Sequence, residues 1–261
     1  KTFYNPEINW AYDTQADPGL GGRTDYWPRG KVLGGSSSIN AMVYIRGNHA
    51  DYDDWEAAGN PGWGWADVLP YFKAIEDNEA GADAWRGTGG PLHVADVSSR
   101  IEHYCRAYIE AGQQAGLPFN PDFNGADQEG VGYYQFTMKD SRRMSAARAF
   151  LRPAMKRPNL RVETGAHVLR ILFEGKRATG VVYRQGGREV IVKAGREVIL
   201  SGGAVNSPQV LMLSGIGAGD DLGSHGLTVV HDNPNVGRHL QDHLGSGYTF
   251  GVTHPTINER L

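Results

Sequence analysis

The densest run of small and polar residues lies at Gly30–Val43, which reads Gly-Lys-Val-Leu-Gly-Gly-Ser-Ser-Ser-Ile-Asn-Ala-Met-Val. Adjacent glycines take side-chain bulk out of a turn, and three serines place hydroxyl donors beside backbone amides. That combination suits a polyanion such as a pyrophosphate, although a Gly-Gly-Ser run alone is more often a plain flexible turn. A second segment, Gly203–Gly217, reads Gly-Ala-Val-Asn-Ser-Pro-Gln-Val-Leu-Met-Leu-Ser-Gly-Ile-Gly and follows the apolar Val198-Ile199-Leu200. A strand, a glycine turn and a helix N-terminus aim backbone N–H groups toward an anion or a cofactor. Alone, this segment is also a capped, buried helix between two turns.

Three other patterns invite chemistry and are set aside. His239 and His243 have the His-x₃-His spacing of a helical metal pair, but the remaining histidines are scattered and no metal site is expected. Gly215-Ile216-Gly217-Ala218-Gly219 imitates a dinucleotide fingerprint, yet it follows a helix where the fingerprint follows a strand. Cys105, the single cysteine, reads as a small buried hydrophobe in a helix over 101–114.

The elements that must position these residues follow from pattern and punctuation. Residues 1–30 are loop-like, rich in Asn, Pro, Gly and aromatics. The Gly-Ser turn feeds the apolar stretch 39–44, expected as a short helix. Helices are expected over 49–58, 65–77, 100–115 and 145–155, with strands over 92–97 and 133–138. From Leu160 the rhythm becomes β, with strands expected over 160–164, 168–174, 178–184 and 188–194, separated by Glu174-Gly175-Lys176 and Gly186-Gly187. Val-Ile-Leu within 197–201 reads as a parallel strand buried on both faces. Ser207 at an N-cap position with Pro208 behind it, closed by Gly215, predicts a helix over 207–214.

The bulk figures admit one large domain or two small ones. The chain has 261 residues, 40% hydrophobic and 21% charged, with net charge −3, an ordinary profile that gives no basic surface for nucleic acid. No apolar run approaches the ~18 residues of a membrane span, and no signal peptide is visible. One cysteine excludes an internal disulfide framework and is compatible with a reducing compartment. The expected location is cytoplasmic or peripherally membrane-associated.

Taken together, the two glycine-rich segments resemble, along their full length, the two signature segments of the glucose–methanol–choline (GMC) oxidoreductase family. The resemblance extends through Trp27-Pro28-Arg29-Gly30, Gly62-Trp63-Gly64-Trp65 with Pro70-Tyr71-Phe72, Asp122-Phe123-Asn124-Gly125, Ala146–Leu151 and Gln241-Asp242-His243, in the family's order. It is strongest toward bacterial choline dehydrogenase-like and aliphatic alcohol dehydrogenase-like members. It implies a mixed α/β fold in which an FAD-binding Rossmann-like domain is interleaved with a substrate-binding domain, both incomplete here. Residues 1–98 and 141–246 would fall on the FAD side, and 99–140 and 247–261 on the substrate side.

The resemblance also assigns residues. Gly30 and Gly35 match glycines beside FAD, and Asn40, Ala41, Met42 and Val43 match the stretch along the isoalloxazine ring. Val168 matches a residue whose backbone meets the adenine, and Gly203 and Ala204 match a turn near the adenosine. Ile39 stands where some members carry the His that links FAD covalently, so FAD is expected to be non-covalent. The family's segment at 241–243 has no metal role, and Asn is its norm at position 239. The implied reaction is oxidation of a primary alcohol to the aldehyde, with hydride passing to flavin N5 and a quinone or other acceptor reoxidising it. The family's pyrophosphate fingerprint is expected before Lys1 and its catalytic His pair beyond Leu261. His254-Pro255 lacks the Gly-Thr that follows in the family's catalytic segment. No catalytic residue is therefore assigned within the chain, and little activity is expected of these residues alone. Two alternatives stand beside the dehydrogenase reading: a hydroxynitrile lyase on the same fold, and a non-catalytic fragment.

Overall fold

The computed structural model describes residues 2–242, 245–253 and 255–256. The chain packs as two compact units, the first holding Lys1–Arg161 and the second Val162–Thr256.

The first unit opens with a looped arm stiffened by two short antiparallel strands, β1 (Tyr12–Asp13) and β2 (Tyr26–Trp27). Asn9, 2% exposed, is the hub of this arm. Its Nδ2 donates to the Phe3 carbonyl and the Tyr26 hydroxyl, and its Oδ1 accepts from the amides of Ala11 and Arg29. One buried amide side chain thus does locally what apolar periodicity does elsewhere, which is why the arm looks structureless in the sequence.

Beyond the Gly-Ser segment lies β3 (Val43–Tyr44), then α1 (His49–Ala57) and α2 (Trp65–Ile75). A capping box between Asn48 and Asp51 starts α1. Rings join the two helices: His49 stacks on Trp65 at 4.0 Å, and Tyr52 leans on Trp65 and Phe72. Next come β4 (Glu76–Asn78) and β5 (Leu92–Val94), paired in parallel, and α3 (His103–Gln114). Finally β6 (Gln135–Phe136) pairs antiparallel with β3, and β7 (Met138–Lys139) pairs with β8 (Arg142–Arg143) across a tight turn. Asp140 and Ser141, both at positive φ, form that two-residue turn. A π-helical turn at Ala147–Leu151 leads into α4 (Arg152–Ala154).

The second unit is an antiparallel meander of β9 (His167–Glu174), β10 (Arg177–Gln185) and β11 (Arg188–Lys193), ordered β11-β10-β9. Gly186 and Gly187, at φ 56° and 79°, make the second hairpin turn, as their type predicts. Helix α5 (Gly203–Leu213) packs against β9 around Ile171 and Val210, and Ser214 completes the joint. The Ser214 hydroxyl accepts from the Ile171 amide at 2.8 Å and donates to the Val210 carbonyl. A short parallel pair, β12 (Ile216–Gly217) with β13 (His231–Asp232), flanks α6 (Gly219–Ser224).

Several expectations are corrected. Residues 39–44 do not form a helix: a 3₁₀ turn occupies Gly35–Ser38, and the chain then runs out to β3 because Met42 takes a left-handed φ of 65°. Helix α5 begins at Gly203, four residues before the expected cap. Ser207 instead reaches back to accept from the Gly202 amide, and Pro208 sits inside the helix. Cys105 is exposed, because it lies in the first turn of α3 while Ile109 and Gly112 further along make the contact with the core and Val131. Residues 160–164 and 197–201 form no strand, and Ile199 is 78% exposed. A strand exists only through a ladder, and no β-ladder among the described residues includes either stretch. No helix among the described residues is long and apolar enough to cross a membrane.

Candidate functional site

The Gly30–Val43 segment is held by chain more than a hundred residues away. Gly30 must be glycine for a packing reason, since any Cβ there would collide with the Gly35 carbonyl. Gly34, at φ 91°, backs onto Ala147. Gly35, at φ 56°, is different: a Cβ there would meet nothing within 4 Å, so its conformation needs glycine while its outer face is open. The serines mostly tie the loop to itself. Ser37 donates to the Gly34 carbonyl and accepts from the Ala146 amide at 2.8 Å, Ser38 donates to the Leu33 carbonyl at 2.8 Å, and Ser36 accepts from the Gly30 amide at 3.1 Å. Two of the three hydroxyl protons are thus engaged by backbone carbonyls, which weakens their reading as anion donors.

Ile39 is 3% exposed and anchors the turn in the core. Asn40 is exposed, and its Oδ1 accepts from the Met42 amide at 3.0 Å and from Arg143 Nη1 at 2.6 Å. Ala41 is exposed beside it. A left-handed methionine costs roughly 1–2 kcal/mol and persists only where its surroundings hold it. The Met42 carbonyl accepts from both the amide and the hydroxyl of Thr137, at 2.8 and 3.2 Å. Phe136 exchanges its amide and carbonyl with Ala95, on the side away from β3. Its partner Val43 therefore occupies a non-hydrogen-bonded position and turns its own amide toward the open edge of β3. The result is a strained, pinned peptide next to an outward-facing amide.

Behind this edge lies a buried polar network that sequence reading missed. Arg46 and Glu76, 6% and 0% exposed, form an ion pair at 2.7 Å. Arg46 Nη1 also donates to the Trp85 carbonyl, and Glu76 accepts from the Gly87 amide and from Asn78. Asn124 accepts from the Arg46 amide at 2.8 Å and donates to the Tyr44 carbonyl and to Gln135. Burial pushes the Tyr44 phenol above its ordinary pKa, against the opposing pull of Arg46. The alternation of Glu76 and Asn78 inward with Asp77 outward on β4 was a signal available in the sequence. Nothing local, however, names Arg46 as the partner, thirty positions earlier. Outside, Asp77 is held below its ordinary pKa, first by a hydrogen bond with His93 and then by the Gly89 amide. Asp83 is lowered to about 2, chiefly by its hydrogen bond with Arg86.

The other expected residues belong to the second unit. Val168 is the second residue of β9, the edge strand, paired with Tyr183 and 39% exposed. Gly203 and Ala204 form the first turn of α5, and Gly203 has φ 86° with open space around it. Gly215, at φ 87°, is a helix-ending turn packed on the Thr228 carbonyl, and the Gly219 amide is taken by Asp232. That mimic of a dinucleotide fingerprint is therefore closed to an anion. No group of three or more His, Cys, Asp or Glu that could hold a metal occurs among the described residues. His243 and His254 lie outside them.

The chain belongs to the GMC oxidoreductase family, whose model matches residues 16–245. It is similar to mitochondrial choline dehydrogenase of Homo sapiens, 51% identical over 236 residues covering 90% of this chain and 40% of that protein. It is similar also to an alcohol dehydrogenase (acceptor) of Pseudomonas putida, 50% identical over 241 residues covering 91% of this chain and 44% of that one. Among solved structures it resembles an FAD-dependent oxidoreductase from Chaetomium thermophilum, with TM-score 0.81 and 33% identity over 89% of this chain and 43% of that chain. The chain thus spans about two-fifths of the length of the curated relatives it matches.

Proposed function

We propose that the complete protein oxidises a primary alcohol, choline or an aliphatic alcohol, to the aldehyde with FAD as its cofactor. The observation that carries this is the Asn40–Val43 edge, where an outward amide and a strained peptide are fixed in place. FAD, when bound, would accept a hydride from the alcohol carbon at its N5. Gly30, Gly35, Asn40, Ala41, Met42 and Val43 would hold its flavin end, and Val168, Gly203 and Ala204 its adenosine end. The residues present fit that group: the open face of Gly35 admits a ligand, and the Val43 amide offers a donor. Asn40 would contribute through its Nδ2, since its oxygen is engaged inside the protein.

Ile39 is buried and carries no nucleophile, which favours a dissociable cofactor over a covalent one. We place residues 1–98 and 141–246 on the FAD side, with 99–140 and 247–261 on the substrate side. The proton-accepting histidines belong to the rest of the protein, a quinone or other carrier is the final acceptor, and the location is cytoplasmic or on a membrane surface. The relatives' names, two dehydrogenases and an oxidoreductase, lend the lyase reading no support.

The test is anaerobic. The purified complete protein should show flavin absorbance that bleaches on adding choline or a straight-chain primary alcohol. Bound flavin with no bleaching across both alcohol classes would sink the reaction, and absence of flavin would sink the cofactor as well.

A further inference from the structure

We infer that Arg143 is a positioning residue for the cofactor-facing backbone, fixing Asn40 and through it the Met42–Val43 peptide. The inference rests on the proposal that FAD lies along Asn40–Val43. A single guanidinium nitrogen, Nη1, donates to Asn40 Oδ1 at 2.6 Å and to the Ser37 carbonyl at 3.2 Å. The same Oδ1 receives the Met42 amide at 3.0 Å, so Arg143 bears on the acceptor that keeps Met42 at φ 65°. A charge-assisted bond of this kind is shorter and stronger than a neutral one.

The scaffold that delivers Arg143 also grips the other side of Met42. Arg143 lies on β8, opposite Met138 of β7, across the Asp140-Ser141 turn. Thr137, immediately before β7, donates twice to the Met42 carbonyl. One hairpin therefore holds Met42 at its carbonyl directly and at its amide through Asn40. Arg148, on the π-helical turn, donates to the Arg143 carbonyl at 3.3 Å and steadies the hairpin from behind. Among the described residues no carboxylate is ion-paired with Arg143. Its charge is directed at Ser37 and Asn40 instead, which separates it from Arg46 and Arg86, both bound to carboxylates.

Removing Arg143 would free Asn40 to rotate and allow Met42 to relax toward negative φ, turning the Val43 amide away from its present direction. The experiment compares wild type, Arg143→Met and Arg143→Lys in the complete protein, reading FAD dissociation and the shape of the visible flavin band. Urea unfolding of the apoprotein runs in parallel. Arg143→Met should weaken FAD binding about tenfold or more and alter the flavin band, with a small change in apoprotein stability. Arg143→Lys, which keeps a cationic donor, should recover most of both.

Wild-type affinity and band in Arg143→Met would overturn the inference. So would an affinity loss matched by an equal loss of apoprotein stability with no change in the band. If Arg143→Met does not fold, Arg143→Gln replaces it: a shorter neutral amide cannot bridge both acceptors, and affinity should fall about threefold or more. Wild-type binding in that variant would also overturn the inference. A wild-type protein that binds no FAD would instead overturn the proposed function, so the two failures are distinguishable.

Discussion

The two glycine- and serine-rich segments are built from similar residues and held by opposite means. Gly30–Val43 is irregular, and polar groups from far along the chain fix it: the Arg143 guanidinium on Asn40, the Thr137 hydroxyl on Met42 and the Ala146 amide on Ser37. Gly203–Gly217 is mostly helix α5, set by apolar packing of Val210 and by one serine, Ser214, stapling it to β9. The serines of the first segment mostly close the loop on itself, with Ser37 also accepting from the distant Ala146 amide, while Ser214 of the second joins two elements. A backbone that must present amides outward cannot satisfy them with its own regular hydrogen bonds. It therefore depends on side chains for rigidity, and a helix does not.

This contrast can be broken most sharply behind the first segment. Glu76→Ala leaves Arg46 buried without its carboxylate and should destabilise the first unit by about 3–5 kcal/mol, measured by urea unfolding. A loss under about 1 kcal/mol would mean that the network around β3 is not what supports it.

In the second unit, Ser214→Ala leaves the buried Ile171 amide without an acceptor and should cost about 1–3 kcal/mol. Hydrogen exchange should show the loss confined to β9 and α5, with residues 30–43 unchanged. Faster exchange at Met42 or Val43 would show that the two segments are not independently held.

Gly30→Ala and Gly35→Ala separate packing from conformation within one loop. The first creates a clash with the Gly35 carbonyl and should cost about 1–3 kcal/mol. The second adds a methyl to open space at positive φ and should cost about 1–2 kcal/mol of stability. If FAD lies against Gly35, the methyl should impair cofactor binding more than stability. Equal effects on both in Gly35→Ala would remove Gly35 from the cofactor surface.

The smallest effect concerns acid. Asp83 titrates at about 2 in the folded protein, below its ordinary 3.8, so it contributes stability fully present above about 4 and lost as pH falls toward 2. Because Asp83 is 35% exposed, solvent screening limits that contribution to about 1 kcal/mol or less. Asp77, lowered mainly by His93, adds in the same direction. Asp83→Asn should flatten the acid limb of a stability–pH profile, and an unchanged slope between pH 4 and 2 would count against the pairing.

Much of the architecture was legible in the sequence. The β-rhythm after Leu160 located β9, β10 and β11, with Gly186-Gly187 at their turn, because alternation and turn chemistry act over a few residues. The helices expected over 49–58 and 65–77 likewise formed as α1 and α2, and the two glycine-rich segments together pointed to the family. Failures came where a distant partner decides. The strand expected at 197–201 has the right residues but no ladder partner among the described residues, and Ile199 stays 78% exposed. We expect those amides to gain exchange protection in the complete protein.

The sequence by itself determined the family, most of the local elements and the places where glycine turns had to occur, since those depend on residue type and short spacing. Only the tertiary structure decided which glycines are buried by packing and which face open space, as Gly30 and Gly35 demonstrate. It alone joined Arg46 to Glu76 and Arg143 to Asn40, across 30 and 103 positions. Charged and polar side chains find partners wherever folding removes competing water, and no periodicity in the chain encodes that address.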